Sequence, residues 1–201
     1  MRKLDVNTPA FWDEIYQHGR AGWDLGRPTP VFVRLLEAGE FAPGRMLVPC
    51  AGRGHDAREF ARHGFTVDAV EFAQEAAEAI RARQDSLPVT LYQTDLFGLP
   101  AEWRARYDYV LEYTCFCAID PRRREEYADL VNRLLKPGGI FINLAFPLDE
   151  HGGGPPFSVT DRDILGLFQS RGFKLLRREV PSDSVPQRKG VEELYVFQKG
   201  Q

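Results

Sequence analysis

Met46-Leu47-Val48-Pro49 reads as an apolar strand, and Cys50-Ala51-Gly52-Arg53-Gly54-His55-Asp56 as a tight turn that opens a helix. Glycines in such a turn let the backbone approach a ligand, and the helix start offers N–H groups to it. Val67-Asp68-Ala69-Val70-Glu71 reads as a second strand that ends in a carboxylate. A carboxylate there accepts hydrogen bonds from a ribose diol. The pairing points to an adenosine-containing cofactor. Gly52-x-Gly54-x-x-Ala57 alone also fits a dinucleotide fingerprint, or a strand-to-helix turn with no ligand. Residues at the next strand ends strengthen the case, because ligands of open parallel sheets sit across those ends. Thr94-Asp95-Leu96 follows a third strand, and Glu112-Tyr113 ends a fourth. Asp95 offers an acceptor for an adenine amine and Leu96 an apolar wall, although Asp95 taken singly fits a turn cap equally well.

The elements that must hold these residues follow from hydrophobic rhythm. Pro9 to His18 carries Phe11, Trp12, Ile15 and Tyr16 between charges, the pattern of a short amphipathic helix. Gly19 to Pro28 is a glycine-punctuated loop around Trp23, and Thr29 is placed to cap a helix running to about Ala38. From Arg45 the chain alternates: strand Met46–Pro49, helix Asp56–His63, strand Phe65–Glu71, helix Ala73–Gln84, strand Val89–Gln93 and strand Tyr107–Glu112. A helix over Pro121–Leu135 is expected to stop at Lys136-Pro137-Gly138-Gly139, before the apolar strand Ile140–Phe146. This alternation implies a parallel sheet with helices on both sides. The end differs: after a helix from Thr160 to Arg171, Phe173–Val180 and Glu193–Lys199 follow with no helix between them and should pair antiparallel.

The whole chain is consistent with that reading. Its 201 residues suit one domain, with 1–40 as an N-terminal lid and helices and 41–201 as the core. Hydrophobic content of 43% and charged content of 27% are ordinary for a globular protein. A net charge of −3 argues against nucleic acid as partner. No apolar run reaches the roughly 20 residues of a membrane helix. Met1 to Asn7 lacks the apolar core of a signal peptide, so a cytoplasmic location is expected, and the protein is separately expected to be a monomer. The three cysteines lack zinc-site spacing, so no metal is expected, and free buried thiols are the favoured reading.

Several ordered segments resemble the thiopurine methyltransferase superfamily, and within it the plant thiol, thiocyanate and halide methyltransferases. They are Phe11-Trp12-x-x-x-Tyr16, Gly22-Trp23-Asp24-x-Gly26-x-Pro28, the Leu47–Asp56 loop, Tyr113-Thr114-Cys115-Phe116-Cys117-Ala118-Ile119, Gly153-Gly154-Pro155-Pro156-Phe157, Gly172-Phe173 and Pro186-x-Arg188-Lys189-Gly190-x-Glu192. The resemblance implies an α/β, Rossmann-like class I fold. Its sheet would be mostly parallel and seven-stranded, with an antiparallel C-terminal strand pair, and a helical lid would precede it. It also implies S-adenosylmethionine as cofactor. By matched position, Trp12, Tyr16 and Trp23 should cover it, and Cys50, Ala51 and Gly52 should contact its methionine end. Glu71 should hold its ribose, Asp95 and Leu96 its adenine, and Tyr113 should lie beside the transferred methyl. The family usually carries Gly-Cys-Gly where this chain has Cys50-Ala51-Gly52, so Cys50 is expected to hold an ordinary φ or to shift the loop. The family's ribose acid is more often Asp, and Tyr16 stands where a tryptophan is frequent.

A sulfonium is a cation, and π faces attract cations. The glycine-rich flanks of Trp12 and Trp23 favour a movable lid over plain core packing. The acceptor is expected to be a small soft nucleophile, because a thiolate, hydrosulfide, thiocyanate or halide reacts without a general base. His18, His55, His63 and His151 form no catalytic pair, and no Asn-Pro-Pro-Tyr-type motif follows the fourth strand. Tyr113, Thr114, Phe116 and Arg188 are the residues expected around the nucleophile. A thiol or hydrosulfide leads, with thiocyanate, halide or a tellurium oxyanion as variants. The alternatives are a larger heteroaromatic thiol, a nicotinamide-binding oxidoreductase and a non-catalytic cofactor-binding protein.

Overall fold

The computed structural model describes residues 5–83 and 85–201. Met1–Leu4, part of the segment read for a signal peptide, and Gln84, the expected end of one helix, lie outside the described residues. Seven strands follow the order β3-β2-β1-β4-β5-β7-β6 in one sheet, mostly parallel and closed by antiparallel pairing, as the sequence implies. The chain divides into two compact units, Met1–Gly98 and Leu99–Gln201. Among the described residues no helix is long and apolar enough to cross a membrane.

In the first unit, α1 (Pro9–Gln17) and α2 (Pro30–Glu37) precede β1 (Arg45–Pro49), α3 (His55–Arg62), β2 (Thr66–Glu71), α4 (Gln74–Arg81) and β3 (Val89–Gln93). The three strands are parallel, with Pro49 opposite Val70 and Glu71 opposite Gln93. Their carboxyl ends therefore line up at Cys50, Glu71 and Thr94. Phe32, Phe60 and Phe65 stack edge to face in the core of this unit. Both N-terminal helices open on proline, whose fixed φ suits the first helical position. Thr29 precedes α2 but does not cap it with its side chain; its N–H and hydroxyl donate instead to Asp56, at 2.7 and 2.8 Å.

The second unit comprises β4 (Tyr107–Tyr113), α5 (Arg124–Leu134), β5 (Leu135–Ala145), α6 (Asp161–Gln169), β6 (Phe173–Glu179) and β7 (Glu193–Lys199). A 3-10 turn, Pro121–Arg123, replaces the first turn of the helix expected there, because the Asp120 carboxylate accepts the Arg122 N–H at 3.0 Å and tightens it. The Lys136–Gly139 stretch, expected as a helix stop ahead of β5, lies inside β5. A register shift absorbs it: Tyr107 faces Leu135, whereas Tyr109 faces Ile140. Thr160 and Asp163 form a reciprocal capping box that starts α6. Phe141, Phe168 and Phe197 pack β5, α6 and β7 together.

The loop between β5 and α6 carries His151, whose Nδ1 faces Asp149 Oδ1 at 2.6 Å and whose Nε2 faces the Pro156 carbonyl at 3.0 Å. A neutral imidazole has one N–H and cannot donate to both. The Pro156 carbonyl first and Asp149 second therefore raise the His151 pKa above the ordinary 6.5. The clamp is complete below that ordinary value and is lost as pH rises through the raised one. An imidazole NMR titration should show the elevation, and Asp149→Asn should bring the midpoint back down. An unshifted midpoint in the unaltered protein would count against the clamp.

Candidate active site

In the first unit the expected cofactor residues gather around the tip of β2. Glu71 is 5% exposed, and its two carboxylate oxygens accept one backbone N–H each, Gly52 at 2.8 Å and Ala73 at 2.9 Å. Burial pushes its pKa up to about 7, while the Ala73 and Gly52 N–H groups hold it down. One carboxylate thus fastens the glycine turn after β1 to the start of α4. A carboxylate accepts at about four positions, so the Ala73, Gly52 and Phe72 N–H groups do not exhaust its acceptor capacity.

Trp12, Tyr16 and Trp23 form one aromatic group against Ala73 and Ala76. Trp12 and Tyr16 each meet Trp23 edge-on at 5.5 Å, and Trp23 Nε1 donates to the Tyr16 hydroxyl at 3.1 Å. Burial, then the nearby Glu71 charge, raises the Tyr16 pKa, so the phenol stays neutral. The segment carrying Trp23 is tied down: Asp24 meets Arg53 and His55, both at 3.3 Å. Burial lowers the His55 pKa.

Gly52 sits at φ +55°, and a Cβ built on it would lie 3.3 Å from the Tyr16 hydroxyl. Gly52→Ala should therefore cost about 1–2 kcal/mol in backbone strain and press on the aromatic group. Thermal melting should fall and calorimetric cofactor affinity should weaken; an unchanged melting temperature would refute the strain. Cys50 corrects an expectation. It holds φ +46°, the left-handed region, and not the ordinary φ expected of a residue with a Cβ. The turn takes here a backbone that glycine adopts more readily.

Asp95 Oδ1 accepts the Phe97 N–H at 2.9 Å and so caps the turn Leu96–Gly98, while Leu96 is buried. The cysteine expectation is corrected too. Cys117 is a buried free thiol, but Cys50 and Cys115 are disulfide-bonded. Expecting free thiols followed from the compartment, and spacing along a chain does not reveal which sulfurs are bonded.

In the second unit the end of β4 is held from inside. Glu112 is 1% exposed; its Oε1 accepts the Cys115 and Phe116 N–H groups, both at 2.9 Å, and its Oε2 accepts Asn143 Nδ2. Burial raises its pKa to about 7 against those three donors. This brace holds Thr114 at φ +60°, an unusual conformation for a β-branched residue. Tyr113 then meets two buried charged groups. Its hydroxyl donates to Glu192 Oε2 at 2.6 Å and accepts from Arg188 Nη1. The Arg188 guanidinium also lies over the Tyr113 ring at 4.9 Å and the Phe146 ring at 5.0 Å.

The hydroxyl's single proton is thus directed at Glu192, and the phenol presents acceptor character elsewhere. Thr114 turns its hydroxyl onto the Tyr113 carbonyl at 2.7 Å. Phe116 is 2% exposed and packs on Tyr127 under Arg124, as a core residue does. Sequence reasoning counted Glu112 among the strand-end residues that point to a ligand, whereas it is buried against its own turn, and gave no role to Asn143 or Glu192. Glu112 had a visible signal, a carboxylate at the end of an apolar strand. Glu192 had none beyond its place in a late motif.

A parallel sheet with a reversed final pair, a glycine turn after its first strand and a buried acid on its second is the build of an S-adenosylmethionine-dependent methyltransferase. The residues present fit that cofactor. Glu71 retains acceptor capacity, and the missing Cβ of Gly52 keeps the turn close under Tyr16. A solved 1,6-didemethyltoxoflavin-N1-methyltransferase from Burkholderia thailandensis, with S-adenosylhomocysteine bound, shares the fold at a TM-score of 0.77 and 22% identity, over 96% of this chain and 87% of that one. The chain matches the family Thiopurine S-methyltransferase (TPMT) over residues 7–199, and it belongs to that family. A probable thiol methyltransferase 2 of Arabidopsis thaliana is 34% identical, over 98% of this chain and 88% of the relative. A thiocyanate methyltransferase 1 of Brassica oleracea is 33% identical, over 94% and 84%. A thiopurine S-methyltransferase of Pseudomonas fluorescens is 31% identical, over 80% and 81%. The protein is an S-adenosylmethionine-dependent S-methyltransferase.

Proposed function

We propose that the protein methylates a small, soft nucleophile, with a thiol or hydrosulfide first and thiocyanate or a halide as variants. The carrying observation is the buried pair of Arg188 and Tyr113 at the end of β4, with Arg188 only 4% exposed. A guanidinium set in aromatic surroundings suits a polarizable, weakly hydrated anion better than an alkoxide. The thiol and thiocyanate methyltransferases among the relatives support the same class. The acceptor is a small molecule, and the chain is taken to act alone in the cytoplasm.

When bound, the cofactor supplies an activated methyl group, so the protein has chiefly to position and desolvate the partner. Glu71 holds the ribose diol, and Cys50, Ala51 and Gly52 meet the methionine end. Asp95 and Leu96 meet the adenine. Trp12, Tyr16 and Trp23 present π faces to the sulfonium and exclude water. Arg188 attracts the nucleophile, Tyr113 and Thr114 set its direction, and Phe116 supports them from the core.

Headspace gas chromatography tests this with S-adenosylmethionine and, separately, hydrosulfide, methanethiol, thiocyanate and iodide. Volatile methylated product is expected, and Tyr113→Phe should lower turnover with the thiols far more than it weakens cofactor binding. Bound cofactor with no product from any of the four would move the assignment to a larger, thiopurine-type thiol.

A further inference from the structure

A thiol differs from iodide or thiocyanate in one respect that matters for methylation: it must lose a proton before sulfur becomes a strong nucleophile. The end of β4 holds a device for taking that proton. Tyr113 gives its own hydroxyl proton to Glu192 Oε2 at 2.6 Å, a short charge-assisted bond, and Glu192 is 2% exposed. The neighbouring carboxylate, Glu193, is engaged elsewhere, with Arg178 Nε at 2.8 Å and the Tyr195 hydroxyl at 2.6 Å. Arg188 also lies against Tyr113, through its hydrogen bond to the hydroxyl and its stacking on the ring. A phenol between a carboxylate and a guanidinium can accept a proton at its oxygen while releasing its own, and so need not ionise itself.

We propose that Tyr113 and Glu192 form a proton relay that converts a bound thiol into its thiolate. The S–H bond breaks with its electron pair left on sulfur, and that proton joins the Tyr113 oxygen. The original Tyr113 O–H bond breaks in the same event, and its proton joins a Glu192 oxygen. The products are a thiolate, a neutral tyrosine and a carboxylic acid, so total charge is conserved. Arg188 offers the new thiolate a counter-charge. Glu192 later returns the proton to water, which resets the relay. Burial raises the Tyr113 pKa well above its usual value, in keeping with a phenol that stays neutral throughout. Glu192 acts through Tyr113 and is a positioning residue with a proton-holding role. The inference rests on the reading of Tyr113 as the group beside the nucleophile, and it narrows the substrate class to thiols that arrive protonated.

The test compares methanethiol, which carries a proton, with iodide, which does not. In Glu192→Gln the ratio of kcat/KM for methanethiol to that for iodide should fall about a hundredfold at neutral pH, the scale of a lost proton acceptor. The methanethiol rate of the variant should then climb with pH as the thiolate fraction in solution grows, narrowing the gap. A second readout needs no turnover. Ultraviolet difference spectra should show bound methanethiol as thiolate in the unaltered protein and as thiol in the variant.

Equal losses on both nucleophiles would reduce Glu192 to a structural role and overturn the relay. So would a bound thiol that remains protonated in the unaltered protein. Should Glu192→Gln not fold, Tyr113→Phe carries the same comparison and the same expected fall in ratio. Absence of methylation of either nucleophile by the unaltered protein would instead overturn the substrate reading, and the relay with it.

Discussion

S-adenosylmethionine should bind Glu71→Gln about thirtyfold more weakly than the unaltered protein, and the loss should grow as pH rises. The magnitude is that of roughly 2 kcal/mol for hydrogen bonds to a charged acceptor. The pH dependence follows from the buried carboxylate. In the free protein its pKa stands at about 7, raised by burial, so near neutrality it is protonated about half the time. A ribose diol donates two hydrogen bonds and favours the ionised form. Binding therefore lowers this pKa and releases a proton. Affinity should fall as pH drops below 7, by up to tenfold per unit, and Glu71→Gln should show no such slope.

The sign for stability runs the other way. The folded pKa lies above the ordinary carboxyl value of 4.5, so the contribution of Glu71 to stability is complete below 4.5. That contribution is lost as pH climbs through 7. Calorimetry in buffers of different ionisation enthalpy would measure the released proton directly. Equal enthalpies in every buffer below neutrality would rule out the linkage. Glutamine is the informative substitute because its side-chain oxygen can still accept from Gly52. Alanine would strand the Gly52 and Ala73 N–H groups and confuse binding with folding.

Glu112→Ala should destabilise the protein by about 3 kcal/mol or more, since it strands buried donors that cost about 1–3 kcal/mol each. The donors are the Cys115 and Phe116 N–H groups and the Asn143 amide. Glu112→Gln should be much milder. The Asn143 Oδ1 atom is buried without a hydrogen-bond partner, so the Asn143 amide can turn over and present it to the new side-chain amide. The remaining oxygen of glutamine still accepts both backbone groups. Urea unfolding of the two variants separates these outcomes, and similar losses in both would show that the charge itself holds the turn.

The two groups of candidate residues, one in each unit, were unequally legible in the sequence. The β1 turn, Glu71 and the aromatic residues announced themselves through short apolar runs, glycines and a carboxylate at a strand end. Glu71 meets Gly52 only 19 residues away, across one strand–helix–strand unit whose geometry is nearly fixed. Tyr113 and Glu192 meet across 79 residues, and Tyr113 and Arg188 across 75. No local rule brings such residues together, so their joint role needed coordinates. The same limit explains β5. Lys136-Pro137-Gly138-Gly139 has the composition of a turn, and pairing with β4 draws it into a strand across a register shift. Cys50 at positive φ shows the converse, a backbone shape that its residue type does not announce.

The strand β7 lies between β5 and β6, pairing antiparallel with both, yet it follows both along the chain. β5 and β6 therefore leave the ribosome ahead of the strand that joins them. Until β7 arrives, one edge of β5 and the whole of β6 stand with unpaired peptide groups, the kind of surface that invites association with other nascent chains. For this part of the sheet, assembly waits on a strand that follows both of its neighbours along the chain.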